Sequence, residues 1–378
     1  MTLRVGVMGA GNISSIYFEN DHRFQDFSLV AVADIIPEAA QKAAATHGVT
    51  AYGVEEMLAR DDIDAILNLT IPAVHADVSR QAVEAGKHVY SEKPLSTELA
   101  DGAALMELAD KKGLRVGCAP DTILGPGVQR ARQMIDGGDI GKPLSVNAAV
   151  MSHGMEDWHP NPHFFFQPGA GPVLDIGPYY IAALINLLGP VDRVVSIAQS
   201  GFPERIVGAE GPHKGERIPV NTPTTVHSVL SFKSGAQATF LASWDVWKHG
   251  MEPIEIHGET ASMRVPDPNF FGGTIEIGRN RADDWQPVET DDGVWGAANW
   301  PADQPKIANY RGLGLADMAA GIKEGRPHRA SGDVALHTVA AMLAILKSAE
   351  TGKAEPVEFA CERPALLTEE QSKALQAS

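Results

Sequence analysis

The order of apolar runs along the chain predicts an α/β protein, with a doubly wound parallel sheet first and an α+β unit with a large, mostly antiparallel sheet second. Three observations carry this. Residues 1–120 alternate short β-like runs with segments of helical apolar spacing, the rhythm of parallel strands joined by crossover helices. From Pro143 onward the texture changes to alternating runs joined by tight turns, as in hairpins. A chain of 378 residues also exceeds what one hydrophobic core usually organises, so two units are expected, 1–122 and 123–378.

In the first unit the strand-like runs are Leu3 to Met8, Leu29 to Ala33, Ala65 to Leu69, His88 to Tyr90 and Leu114 to Cys118. Between them Pro37 to His47, His75 to Ala85 and Thr97 to Lys112 have helical spacing, and Gly48, Gly86 and Gly113 stand where helices should stop. Pro, Gly and Asp cluster from Pro120 to Pro126, which sets the boundary.

In the second unit Thr224 to Phe232 and Ala236 to Ser243 flank Lys233, Ser234 and Gly235 as a hairpin. Further strands are expected at Leu144 to Met151, Arg193 to Ser200, Ile254 to His257, Ser262 to Val265 and Thr274 to Ile277. Helices are expected at Gly127 to Ile135, Pro178 to Leu188, Leu315 to Lys323 and Val334 to Ala349. Stretches 201–223 and 279–309, rich in Gly, Pro, Asn and charge, read as long loops.

The formal charge of -17 would repel phosphate backbones and anionic lipid surfaces, so neither nucleic acid nor membrane is an expected partner. Cys118 and Cys361 form no CxxC pair or disulfide framework, which fits a reducing compartment. No basic segment and long apolar core precede the first strand, and the longest apolar stretch, Ile176 to Leu188, is too short to span a bilayer. These features together predict a soluble, cytoplasmic protein.

Gly9-Ala10-Gly11-Asn12-Ile13-Ser14 follows the first strand and opens a helical pattern, the context in which a GxGxxG-like string binds a dinucleotide in a Rossmann fold. Gly9 suits the tight turn, Gly11 lets a pyrophosphate approach the backbone, and Asn12 and Ile13 lead into the helix start that faces it. Asp34 ends the second strand about 20 residues on, where a carboxylate accepts the ribose hydroxyls and repels a ribose phosphate. Ile35 and Ile36 follow it with no Arg or Lys, so NAD is predicted rather than NADP. Thr70, Ile71 and Pro72 leave the fourth strand at the same edge and should border the cofactor. His75 opens the next helix there; it is a candidate cofactor contact, with a solvent-facing histidine as the alternative.

At the end of the fifth strand stands Ser91-Glu92-Lys93-Pro94, preceded by Ala85-Gly86-Lys87-His88-Val89-Tyr90. With the glycine turn, these residues resemble the Gfo/Idh/MocA oxidoreductases, named for glucose-fructose oxidoreductase and inositol dehydrogenase. The resemblance implies that Lys93 faces the nicotinamide and the substrate hydroxyl, and that Glu92 lies near the nicotinamide ribose. A cation at a reacting C–O group stabilises alkoxide character as hydride leaves. The family's second domain supplies D-x-G-x-H, which here reads Asp175-Ile176-Gly177-Pro178-Tyr179. Tyr179 takes the histidine position, so an imidazole acid-base role does not carry over. A phenol is a poor base at neutral pH, but a neighbouring ammonium would stabilise its phenolate. Tyr179 is therefore the expected general acid-base, tuned by Lys93, with Asp175 orienting the lysine or the substrate; Lys93 itself and a nearby histidine stand next. The resemblance also implies a contact from Asp121, beside Thr122, toward nicotinamide or substrate.

The irregular stretch Met151 to His163 contains His153, Trp158, His159 and His163. It reads as a substrate wall, with His153 and His159 as polar contacts and Trp158 offering a flat face to a sugar ring. Its spacing matches no HExxH pattern, so no metal is expected. The expected activity is NAD-dependent hydride transfer on a sugar, sugar derivative or cyclitol hydroxyl. NAD-dependent glycoside hydrolysis on the same fold, and sensing of NAD or a sugar without chemistry, are the alternatives. The resemblance further implies a homodimer or homotetramer built through the C-terminal sheet.

Overall fold

Six parallel strands form the first sheet of the computed structural model, which describes residues 2–281, 283–290 and 292–377. Met1 and Ser378, the outer limits of the expected units, and Ala282 and Asp291, inside the expected loop 279–309, lie outside the described residues. The chain passes through β1 (Leu3–Met8), α1 (Ser14–Asn20), β2 (Phe27–Ala33), α2 (Pro37–His47), β3 (Thr50–Ala51), α3 (Val54–Leu58) and β4 (Ala65–Asn68). It continues through α4 (His75–Glu84), β5 (His88–Ser91), α5 (Leu99–Lys112) and β6 (Val116–Cys118). Val5, Val7, Val32, Ile66, Leu67 and Val89 are all fully buried, which is why these strands read as continuous apolar runs rather than alternating ones. The strands lie in the order β3-β2-β1-β4-β5-β6. That order reverses between β1 and β4, opening a crevice at their carboxyl ends. The sequence had no signal for β3 and α3, which are too short to show a period.

The second sheet has nine strands, in the order β16-β15-β14-β13-β7-β12-β11-β8-β17. The chain enters it through α6 (Pro126–Asp136), β7 (Pro143–Met151), α7 (Pro172–Asp175), α8 (Gly177–Leu188) and β8 (Val191–Gln199). After β9 (Glu204–Ile206) and β10 (Arg217–Pro219) come β11 (Thr225–Phe232), β12 (Gln237–Ser243), β13 (Ile254–Gly258), β14 (Ser262–Val265), β15 (Ile275–Gly278) and β16 (Gln286–Val288). Then follow α9 (Leu313–Glu324), α10 (Gly332–Thr351), β17 (Glu355–Pro356) and α11 (Glu369–Ala374). Every pairing in this sheet is antiparallel except that of β7 with β12. Val194, Val226, Leu230, Ala238 and Phe240 are buried on the inner face, and α8 and α10 supply the opposing apolar surface. α10 has the length and composition to cross a bilayer, yet it packs on β8, α8 and α5 as a core helix.

Two stretches expected to be loops hold strands. β9 and β10 pair as a hairpin inside 201–223, with Ile218 opposite Arg205. Each strand has three residues of mixed polarity, too few for a period to show. Val207, Ala209 and Ile218 from this region bury against Met155, Phe165, Phe166 and Trp244, forming a small second core. β16 likewise lies inside 279–309. The last part of the chain returns to the first sheet. Cys118 N–H donates to Ala330 O at 3.0 Å, and Phe24 bridges Gln376.

Candidate active site

The glycine turn sits over the crevice where the strand order reverses. Gly9 has φ +100°, and a Cβ there would lie 2.6 Å from the Leu69 carbonyl oxygen, so only glycine fits between β1 and the exit of β4. A Cβ on Gly11 would meet nothing within 4 Å. The N–H groups of Gly11, Asn12 and Ile13 have no hydrogen-bond partner among the described residues. Asp34 closes the turn from behind, its Oδ2 accepting the Ala10 N–H at 2.7 Å and its Oδ1 the Ile36 N–H at 2.8 Å. Ile35, Ile36 and Ile71 are exposed at the ends of the two strands that flank β1. Open space before Gly11, free amides facing it and a carboxylate at the next strand end fit the pyrophosphate and ribose of a dinucleotide.

Asn68 organises the exit of β4. Its Nδ2 donates to His75 O at 2.9 Å and to Ser79 Oγ at 3.0 Å, and its Oδ1 accepts from the Thr70 hydroxyl at 2.6 Å. This holds Thr70, and with it Ile71 and Pro72, at the rim. His75 is only 1% exposed, and both its ring nitrogens face main-chain oxygens, Nδ1 toward Pro94 O at 2.7 Å and Nε2 toward Thr70 O at 3.0 Å. The side chain ties the β4 turn to the segment after Lys93 instead of presenting a free imidazole to the crevice.

Lys93 is held by groups from both halves of the chain. Its Nζ donates to Asp175 O at 2.7 Å and Asp175 Oδ1 at 3.1 Å, and it sits 5.2 Å from the centroid of the Tyr179 ring. Asp175 ends α7, and Tyr179 lies in the first turn of α8, so the break between these two helices sets the spacing. Glu92 is buried beside them, accepting the Tyr17 hydroxyl at 2.9 Å and the Lys93 N–H at 3.0 Å. Burial disfavours the Lys93 cation, but Asp175, Tyr179 and Glu92 outweigh it and the net shift is upward, so the side chain is an ammonium at neutral pH.

A second cation stands at the same place. Arg311 Nη2 donates to the Tyr179 hydroxyl oxygen at 3.3 Å, and Nη1 donates to Asn309 Oδ1 at 2.8 Å. The cation bonded to the phenol oxygen is therefore Arg311, while Lys93 lies over the ring face. Burial opposes the guanidinium charge, but Tyr179, Glu92 and Tyr17 hold it above the ordinary arginine range. The Arg311 segment is fixed by Asp121, whose Oδ2 accepts the N–H groups of Gly312 at 2.9 Å and Gly314 at 3.1 Å at the start of α9. Burial pushes the Asp121 carboxyl up to about 6, against the opposing effects of the Gly314 N–H, Arg311 and the Gly312 N–H.

The loop after β7 forms a separate group. His153 stacks on Trp247 with ring centroids 3.4 Å apart, while His159 meets Trp158, Phe164 and Phe165 edge-on. Trp158 is 64% and Trp247 78% exposed, so flat apolar faces are available to a ligand. Among the described residues, no hydrogen bond or ring contact links His153, Trp158 or His159 to Lys93, Asp175 or Tyr179. Sequence reasoning did not single out Arg311 or Tyr17. The available signal for Arg311 was its place between Asn309 and the Gly312-Leu313-Gly314 start of an apolar helix.

Two family matches divide the chain at the same region as the fold. Residues 3–119 match the oxidoreductase family with an NAD-binding Rossmann fold, and residues 128–264 match the GFO/IDH/MocA C-terminal domain. Inositol 2-dehydrogenase of Rhizobium meliloti (strain 1021) is 24% identical over 263 residues, which is 70% of this chain and 75% of that protein. 1,5-Anhydro-D-fructose reductase of Ensifer adhaerens is 25% identical over 364 residues, 94% of this chain and 98% of that protein. Among solved structures, levoglucosan dehydrogenase in complex with NADH and levoglucosan has the same fold, with a TM-score of 0.79 at 22% identity over 95% of this chain and 100% of that one.

Proposed function

The chain belongs to the Gfo/Idh/MocA oxidoreductases, with an NAD-binding Rossmann domain at its N-terminus, and from that premise we propose that it oxidises or forms a hydroxyl on a sugar, sugar derivative or cyclitol. The observation that carries this reading is the Lys93 ammonium, anchored by Asp175 just past the carboxyl end of β5, in the same parallel sheet whose β1 leads into the glycine turn. Inositol 2-dehydrogenase and 1,5-anhydro-D-fructose reductase, both similar in sequence, point to the polyol class.

In this reading residues 1–122 hold the cofactor and 123–378 the substrate. The amides of Gly11, Asn12 and Ile13 take the pyrophosphate and Asp34 the ribose hydroxyls. NAD, when bound, accepts or returns the hydride. Lys93, an ammonium at neutral pH, donates to the reacting substrate oxygen and stabilises its negative charge. With Lys93 in that state, another group serves as the base in this reading. Tyr179 fits as the acid-base group: as a phenol it gives its proton to the substrate oxygen when a carbonyl is reduced, and with that proton gone its oxygen, which accepts from Arg311, takes the hydroxyl proton in the oxidation direction. Asp175 positions Lys93 and carries the compensating charge. Trp158, His153 and His159 form an outer wall for the sugar ring.

The outer face of the second sheet suits a second copy. Val195 pairs with Val229, and Ile197 with His227, all four exposed on one face of β8 and β11. A homodimer or homotetramer would cover this stripe.

The function is tested by incubating the purified chain with NAD and a panel of aldoses, anhydrosugars, glycosides and cyclitols while following NADH. Stoichiometric NADH formation with at least one polyol is expected. Binding of NAD with no hydride transfer to or from any member, in either direction, would overturn the proposal.

A further inference from the structure

Away from the Lys93 crevice, two histidines and a glutamate from distant parts of the chain converge. His163 opens the single turn His163–Phe166, and His213 and Glu216 lie in the connection between β9 and β10. His163 Nε2 stands 3.1 Å from Glu216 Oε2, and His213 Nδ1 stands 3.2 Å from both oxygens of the same carboxylate. One ligand atom from each of the three residues lies within 4.8 Å of the other two. We propose that His163, His213 and Glu216 bind a divalent cation of the Zn2+ class, with water completing its coordination, as a staple between two surface segments.

The distances suit that ion. Bonds of about 2.0–2.1 Å in a tetrahedral site put neighbouring ligand atoms about 3.3–3.4 Å apart. Two of the three edges are already within about 0.3 Å of this. With neutral imidazoles the set carries one negative charge, and each histidine then aims a ring nitrogen toward the carboxylate. A cation placed among the three atoms takes over the role of those N–H protons. Two nitrogen donors and one oxygen donor favour Zn2+ over Mg2+ or Ca2+, which take oxygen ligands. All three side chains are roughly one-third to one-half exposed, which leaves an entry path and room for water.

The donors are held by structure that exists without the ion. Phe165 and Phe166, next to His163 in the chain, are buried with Val207 and Ile218, which flank the histidine and glutamate of the hairpin connection. Gln167 Nε2 donates to Pro219 O at 3.0 Å, and Asn221 N–H donates to Phe166 O at 2.8 Å. The Glu216 N–H closes a turn onto His213 O at 3.0 Å. The ion would therefore join two segments that already touch, at their outer edge, and stiffen the loop that carries His153, Trp158 and His159. No local spacing could show the site, because its ligands come from both sides of α7, α8 and β8.

The test titrates the chelator-treated full chain with zinc sulfate by calorimetry and with cobalt sulfate by visible absorption. One ion per chain is expected, with the cobalt spectrum of a tetrahedral nitrogen-oxygen site. His163→Ala and His213→Ala should each weaken binding by more than about 100-fold, beyond the 10–100-fold typical of residues outside the ligand set. Glu216→Gln should weaken it while leaving the circular dichroism spectrum unchanged. Absence of saturable uptake, or uptake that survives the double substitution His163→Ala/His213→Ala, would overturn the proposal. Neither result depends on whether the chain transfers hydride.

Discussion

Replacing Asp175 by Asn removes the charge that keeps Lys93 cationic while preserving side-chain size. The Nζ to Oδ1 separation is 3.1 Å, and at an effective dielectric constant of about 20 two unit charges at that distance attract by about 5 kcal/mol. Burial acts on Lys93 in the opposite direction and would then be opposed mainly by Glu92 and Tyr179. The ammonium should therefore lose its proton at lower pH in the variant than in the parent. Two measurements read this. Competitive labelling of amines across pH, with Lys93 followed by mass spectrometry, should show its titration moved toward neutrality. The pH profile of kcat/KM on the polyol identified from the panel should show its alkaline limb moved the same way, with the plateau lowered about 10²–10³-fold, the cost of losing one preorganised donor to the reacting oxygen. A labelling midpoint and an alkaline limb both unchanged in Asp175→Asn would refute the reasoning that this carboxylate holds the Lys93 proton.

Three further outcomes follow from the same geometry. Gly9→Ala puts a Cβ 2.6 Å from the Leu69 oxygen at a φ of +100°, and strain with overpacking should cost about 2–5 kcal/mol by urea denaturation and abolish NADH binding. Asp121 has a folded-state value of about 6, above its ordinary 3.8, so it contributes stability that is fully present below about pH 4 and lost as the pH rises through 6. Asp121→Asn should then gain on the parent by up to about 3 kcal/mol between those limits, read from urea midpoints across pH; parallel stability curves would contradict it. Arg311→Gln should lower kcat by about 10²-fold with NADH affinity unchanged, and Arg311→Lys should recover part of the loss, as stopped-flow kinetics and cofactor fluorescence would show.

The parallel sheet was legible because buried strands and glycine-stopped helices leave strong local marks. The glycine turn and Asp34 were legible for the same reason, since both lie within one βαβ unit. Lys93 and Asp175 came from a resemblance to known motifs, and their pairing across the two halves is a tertiary fact that no spacing predicts. Arg311 was hidden because its role depends on Asp121, which caps α9 from the far end of the chain's first unit. His75 shows the reverse: its position at a helix start suggested a cofactor contact or a solvent-facing ring, yet the main-chain oxygens of Pro94 and Thr70 hold both ring nitrogens in a buried strut. The β9–β10 hairpin escaped notice because its stability comes from docking on Phe165, Phe166 and Trp244, not from its own three-residue strands.

The central claim is that the Lys93 ammonium acts on the substrate oxygen during hydride transfer. It is tested most directly by single-turnover hydride transfer in Lys93→Met, measured beside NADH binding to the same variant. A rate lower by about 10³-fold, with NADH affinity within a few-fold of the parent, is the predicted result. Transfer at the parent rate would contradict it.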